Sequence, residues 1–592
     1  MKDKKVYKTD KKGIIISLLI FSFVLMLSVG YAALNEELTI SGEAHFRVES
    51  DIRITDVRLS NTINSASEDY ASLYGKESMK VGATLPNNNS SATYKVKITN
   101  YSNVAMQLKS ITKEIENNNY TITFNKTLPL TVGKQSSEEI EITFKNSTNE
   151  SQTINANLLF TFAKEEAVMA SGNDGAATST FYNGPLTKNS IESITFMPTK
   201  EIPEDAIGYW DASAVQGTNK VMAYYLNSET EGMYDLYIAA DGEVYAPYNS
   251  RYLFYKFTNV TSIDFNNSFN TEKATNMRGM FTGDTKLSVL DVNCFNTSKV
   301  TEMNYSNTVG MFQNCSSLTS LNLSNWDTKN VTYMGYMFAE CSKLTTITLG
   351  SDFNTEKVTN FGGMFYNCSK LTSIDTLKFN TANVEKFNDA GRGMFQNCSS
   401  LTSLNLVSWD TKKAYNMNSM FSGCSGLTSI TFGEDFDTSN ASSLQSMFYG
   451  CSGLTSLDLN TFNTEKVTSM ESMFKNCSKL TNLDLSNFRT PKLTSMYQMF
   501  QNCTRLQNVD ISNFTTESLT TMFATFTDCS SLKEVDMRNM DFEGKTVATQ
   551  NVFLRIKSGV NIYVLNAYNQ TYIQGLRSDA NVIIYVPPEP EV

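Results

Sequence analysis

This chain of 592 residues has one histidine, no CxxC pair and no stretch that concentrates lysine and arginine on a folded face. The single histidine, His45, falls on a short alternating run where a surface or edge position is its ordinary role. It leaves no Ser-His or Cys-His pair, and GxSxG, HExxH and P-loop patterns are missing as well. A net charge of −11 excludes the basic footprint that nucleic acids require. Ten cysteines without CxxC spacing or alternation with histidine give neither a zinc site nor a disulfide framework. The chain therefore reads as a non-enzymatic protein with no cofactor.

What is present is a repeat. LTSLNLSNWDTKNVTYMGYMFAEC (318–341) recurs with substitutions from about residue 252 to 537. Its Met-Phe pair places Phe at 281, 312, 338, 365, 395, 421, 448, 474, 500 and 526, after an earlier member at Phe254. A period of about 26 residues marks a solenoid, in which each unit buries its apolar side only against its neighbours. Leu321 and Leu323 alternate with polar residues as on a strand. Val331, Met334, Phe338 and Cys341 recur at steps of three and four, which predicts a helix of about three turns. The threonine that precedes this half, from Thr271 through Thr328 to Thr516, reads as the helix N-cap, because Thr490 is followed by Pro491 at the first helical position. The spacing predicts eleven strands in one parallel sheet about 50 Å long, with helices on the other face.

The pattern MFxxCxxLTSLxLxxFxTxxVxxM resembles the BspA-like leucine-rich repeat of bacterial surface proteins. The resemblance implies an exported, surface-displayed binding protein of the adhesin type. It names an architecture more firmly than a ligand.

In chain order, residues 1–13 carry six lysines and residues 14–34 carry no charge. They read as a basic cytoplasmic segment followed by an uncleaved membrane anchor or a signal peptide cleaved near Ala33, with all that follows exported. Residues 35–165 alternate in short runs and predict an immunoglobulin-like β-sandwich that serves as a spacer. Residues 166–190 read as a linker and 191–250 as the N-terminal cap of the solenoid. The repeats occupy 251–540, and 541–592 form the C-terminal cap. The fold class expected is an α/β leucine-rich-repeat solenoid preceded by an all-β sandwich and an N-terminal transmembrane or signal helix. Neither an LPxTG-like signal nor an apolar helix stands near residue 592, so attachment is expected from the N-terminus or from noncovalent contacts.

Two columns bear on function. Nine cysteines, Cys315 to Cys529, each follow the unit's Phe by three residues; parallel Cβ vectors on stacked units disfavour bridges, so buried reduced thiols are expected. Cys294 is out of register. The second column is the outward residue between the two strand leucines. Asn322, Asn405, Asp458, Asp484, Asp510 and Asp536 are its ligand-binding candidates. Carboxylates at strand spacing repel, which a cation or a basic ligand group could relieve. Asn-x-Ser/Thr triplets such as 314–316 follow from repeat geometry. The function expected is adhesion to a protein or glycan on a host or partner cell, with the membrane reached through the N-terminal helix. The alternative is a surface-layer or spacer protein without a specific ligand.

Overall fold

The computed structural model describes residues 40–41, 43–44, 51–73, 76–102, 105–115, 119–164, 166–170, 181–182, 185–214, 220–304 and 309–586. Segments 1–13 and 14–34, and His45, lie outside the described residues. Among the described residues no helix is long and apolar enough to cross a membrane. The chain divides into two compact units, 1–165 and 166–592.

Beside a short antiparallel pair, Ile40–Ser41 with Glu43–Ala44, the described residues of the first unit form nine antiparallel strands: β1 (Ile52–Ile63), β2 (Ser67–Leu73), β3 (Ser78–Leu85), β4 (Ser91–Asn100), β5 (Met106–Ile115), β6 (Tyr120–Phe124), β7 (Leu130–Val132), β8 (Ser136–Asn146) and β9 (Gln152–Lys164). They form two sheets, in the orders β1-β4-β8-β6 and β2-β3-β9-β5-β7. Along β4, β8 and β9 every second side chain is buried, as expected of strands with one face on a core and one on solvent. Tyr94 and Phe144 meet edge to face at 5.8 Å in that core, and the Tyr94 hydroxyl donates to the Gly82 carbonyl.

The second unit has one continuous apolar core from Ala167 to Val582. The stretch read as a linker contributes to it: Phe181 packs against Phe254 and Phe257, and its carbonyl accepts the Trp210 indole N–H. Strands β10 (Ile191–Met197), β11 (Gly208–Asp211), β12 (Met222–Asn227) and β13 (Tyr234–Ala239) form a sheet. It continues in parallel, from β10, into β14 (Ser262–Asp264) and β15 (Val289–Leu290) of the repeats.

The repeat half expected to be helical is not. Among the described residues the second unit has one α-helix, α1 (Ala567–Leu576), outside the repeats and capped by the Asn566 side chain. The α/β leucine-rich-repeat solenoid is therefore replaced by a coil of short strands and turns. In the unit around Phe338 the turns close at Met337 N to Met334 O, Ala339 N to Tyr336 O and Cys341 N to Phe338 O. The N–H groups of Met334, Tyr336, Phe338 and Glu340 point instead to Asn360, Gly362, Met364 and Tyr366 of the next unit. A helix would have spent those donors internally; here they join units.

The cause lies in two slots of the unit, and the one two residues before the Phe is at positive φ, between 54° and 63°, at Gly279, Tyr336, Gly363, Ser419, Ser446, Ser472, Gln498, Ala524 and Asn551. The residue two after each Phe has positive φ, between 59° and 84°, at Gly283, Asn314, Glu340, Asn367, Asn397, Gly423, Gly450, Asn476, Asn502 and Asp528. That conformation is the third position of a type II turn, which Gly and Asn tolerate best. Eight of these ten are Gly or Asn, and the pattern is incompatible with an α-helix through the same residues.

The single sheet of eleven strands is also replaced, by short parallel pieces: β16 (Ser320–Leu323) with β17 (Thr346–Leu349), β18 (Ser403–Leu406) with β19 (Ser429–Phe432), and β20 (Asn482–Asp484), β21 (Asn508–Asp510), β22 (Glu534–Asp536), β23 (Asn561–Val564) and β24 (Asn581–Ile584) in one sheet. Between β17 and β18 the Asp375 side chain accepts the Leu377 N–H and folds residues 376–378 into a 3-10 turn, which interrupts the ladder.

The αL slot makes a test. Asn314, at φ 59° and with no cross-unit side-chain bond, should tolerate Gly with little change. Asn314→Val should cost about 1–2 kcal/mol, because a β-branched residue is strained there. Thermal unfolding of the two variants checks this; a helix would rank them in the opposite order.

Candidate functional site

Twelve phenylalanines, from Phe254 to Phe553, form an unbroken internal stack. Their eleven contacts have ring centroids 5.2 to 6.0 Å apart and planes within 11°. At each step the Phe N–H donates to the carbonyl of the residue before the next unit's Phe, at 2.8 to 3.0 Å. Backbone ladder and ring stack therefore share one rise, within the range that aromatic pairs favour.

The cysteines serve this ladder. Each of the nine column thiols donates to the Phe carbonyl of the preceding unit at 3.0 to 3.1 Å, as Cys368 does to Phe338. The same carbonyl already accepts its own unit's turn N–H, so the thiol fills its second lone pair while remaining a small apolar body. All ten cysteines are free. Burial pushes the Cys341, Cys424, Cys477 and Cys529 thiols up to about 12, far from the thiolate that redox or metal chemistry needs. Cys294, half-buried, is likewise raised to about 12 by burial. In the second unit Asp284 takes the slot, wholly buried, its Oδ1 accepting the Phe257 N–H at 2.8 Å; burial holds its carboxyl well above the usual carboxylate range.

The threonines read as helix caps are staples between units. Thr328 Oγ1 donates to Asn354 O at 2.7 Å and accepts the Asn354 N–H at 2.8 Å. Thr271 and Asn296 repeat this arrangement, and the Thr438 hydroxyl does the same with Asn463.

The candidate ligand residues occupy one column and share one local role; Asp536, expected to face outward, is instead buried. The side chains of Asn322, Asn405, Asp458, Asp484 and Asp510 each accept the N–H two residues on, from Ser324, Val407, Asn460, Ser486 and Ser512, at 2.8 to 3.3 Å. These are Asx turns, and they end the strands. Asp484, Asp510 and Asp536 lie in direct register. Asp536 accepts the Arg538 N–H and is paired with its guanidinium, which lies 3.6 Å from the centre of the Tyr585 ring. Hydrogen bonds from Ser486 hold the Asp484 carboxyl below its usual range. The repulsion expected of the strip is thus met by N–H donors and one arginine. Among the described residues no group of three or more His, Cys, Asp or Glu is placed to hold a metal ion.

A second outward row was missed. It stands two residues after the column threonine and reads Lys273, Lys299, Asn330, Lys357, Asn383, Lys413, Asn440, Lys466, Lys492 and Ser518, so that lysine and asparagine alternate from Lys299 to Lys466. The signal was in the sequence, but only when one position is compared across units. The depression lined by residues 549–554 and 575–577 has Arg577 as its one charged wall residue, so no set of titratable groups converges there.

These features define a repeat protein whose units are joined by backbone, aromatic and side-chain ladders. The array is similar to a family described as Mycoplasma protein of unknown function, DUF285, whose model matches four overlapping stretches, 249–346, 306–431, 346–456 and 429–540. No curated protein matches the chain.

Alkylation in native conditions should leave the nine column thiols unmodified, and all ten should react after denaturation without reductant; recovery of disulfides would contradict the donor geometry. At Asp484, Asn preserves the turn acceptor, so Asp484→Asn should melt like the wild type at neutral pH, whereas Asp484→Ala should lose about 1 kcal/mol. Because the folded carboxyl is depressed, its stabilisation is present above the unfolded value near 4 and fades as pH falls through the folded one. Melting curves between pH 2 and 7 should show wild type losing ground to Asp484→Asn only at the acid end.

Proposed function

We propose that the chain is a non-enzymatic binding protein displayed at a cell surface, with residues 14–34 leading it into or through the membrane and the sandwich acting as a spacer. The observation that carries this reading is the division of labour within each unit. Phe, Cys and the column Thr are consumed by contacts to adjacent units, while the outward rows repeat polar side chains along a rigid coil. Rigid, periodic polar surfaces suit recognition of extended partners and cost little ordering on binding. A protein or glycan on another cell or host is the class of partner proposed, and a BspA-like adhesive role belongs to this proposal.

Purified chain lacking residues 1–34 should bind intact partner or host cells saturably, and excess unlabelled chain should compete. A surface-layer or spacer protein would show no saturable binding to cells and would associate only with itself. In the producing cell, external protease should release the array while residues 1–13 stay protected; protection of the array would contradict surface display.

A further inference from the structure

The row that alternates lysine and asparagine carries more than its place in the repeat requires. Each member precedes an inward apolar residue, such as Val331, Val358, Val384 or Ala414, and so faces out. The adjoining backbone is laddered, Thr332 N to Thr301 O, Thr359 N to Thr332 O and Glu385 N to Thr359 O, at 2.8 to 3.2 Å. Members of the row are therefore about 4.8 Å apart, and from Lys299 to Lys466 successive lysines are about 10 Å apart.

The row is also held in place. The Nδ2 groups of Asn330, Asn383 and Asn440 donate to the carbonyls of Ser298, Glu356 and Lys412 in the preceding unit, at 2.7 to 3.2 Å. Their Oδ1 atoms accept from Lys357, Lys413 and Lys466, at 2.9, 2.6 and 3.0 Å. Each of these ammonium groups keeps further N–H donors for solvent. Lys299, Lys357, Lys413 and Lys466 are exposed and form no ion pair among the described residues. The neighbouring lysines Lys329 and Lys412, one position earlier in their units, are by contrast bound to Asp327 and Asp435.

We propose that this row docks a linear acidic polysaccharide carrying one carboxylate per disaccharide. The inference rests on the reading of the chain as a surface binding protein. A disaccharide of two equatorially linked rings is about as long as the interval between successive lysines, so one carboxylate can meet each ammonium while the intervening sugar passes over an asparagine. Beside the row, Thr332 and Thr468 direct their hydroxyl protons to carbonyls of the preceding unit and leave oxygen lone pairs for sugar hydroxyls. A nucleic acid fits less well. Its phosphates recur about every 3.4 Å along a strand, three times as densely as the lysines from Lys299 to Lys466, so most of them would meet no ammonium group.

The test uses the full chain and hyaluronan oligosaccharides of about ten sugars, followed by calorimetry at low salt. Binding should weaken steeply as salt is added. Replacing Lys299, Lys357, Lys413 and Lys466 by Gln should weaken it about tenfold or more, whereas the same charge removed at Lys343, Lys370, Lys479 and Arg505 should change it less than about twofold. Melting curves confirm that both variants fold. The proposal is overturned if wild type does not bind, if both variants weaken alike, or if an oligothymidylate of equal length binds as tightly. Saturable cell binding that persists unchanged in the row variant would sink the docking row and leave the broader binding reading standing.

Discussion

The constraint on which the array depends is the rise of the parallel backbone ladder, about 4.8 Å per unit. Corresponding positions of successive units are stacked on that ladder, the phenylalanine rings at 5.2 to 6.0 Å, so each column must tolerate its own residue as its nearest neighbour. Phenylalanine does so with its rings stacked nearly parallel from Phe254 to Phe553. Cysteine does so because its thiol points to a carbonyl rather than to the next sulfur. Threonine and asparagine do so by donating along the column, as Asn502 donates to Asn476. Charge is the difficult case. At the Asp column it is relieved by turn N–H groups and Arg538, and between Lys299 and Lys466 by alternation with asparagine.

Much of this was legible in the residues. The period, the inward Leu, Met and Phe positions, and the reduced thiols all followed from stacking. The helix did not, because steps of three and four are shared by a helical stripe and by a chain of overlapping turns whose inward residues also fall three or four apart. Pro491 sharpened the ambiguity. It lies second in the turn closed by Leu493 N to Thr490 O, a position that wants the same φ as the first residue of a helix. The deciding signal was the Asn or Gly before seven of the nine column cysteines, as in Asn476-Cys477. Two such residues could be helix C-terminal signals, whereas a whole column of them in mid-pattern specifies positive φ.

The candidate site was legible as a column and misread in its role. Asp, Asn and occasionally Thr share the slot because Asp and Asn both close an Asx turn; charge is incidental to that task. The lysine row escaped for the opposite reason. A consensus drawn over all units blends Lys and Asn into a nondescript polar position, while their order along the coil holds the information.

The same stacking rule limits what such a surface can recognise. A compact ligand would meet many nearly equivalent sites and distinguish none of them. A ligand whose own groups repeat at one or two rises can engage several units at once, and each added contact becomes intramolecular once the first is made. A mismatch in period accumulates along the coil, so discrimination grows with length even though each contact is weak and exposed. In an array of this kind, specificity therefore resides in the order of residues along a column, and affinity in how many units share it.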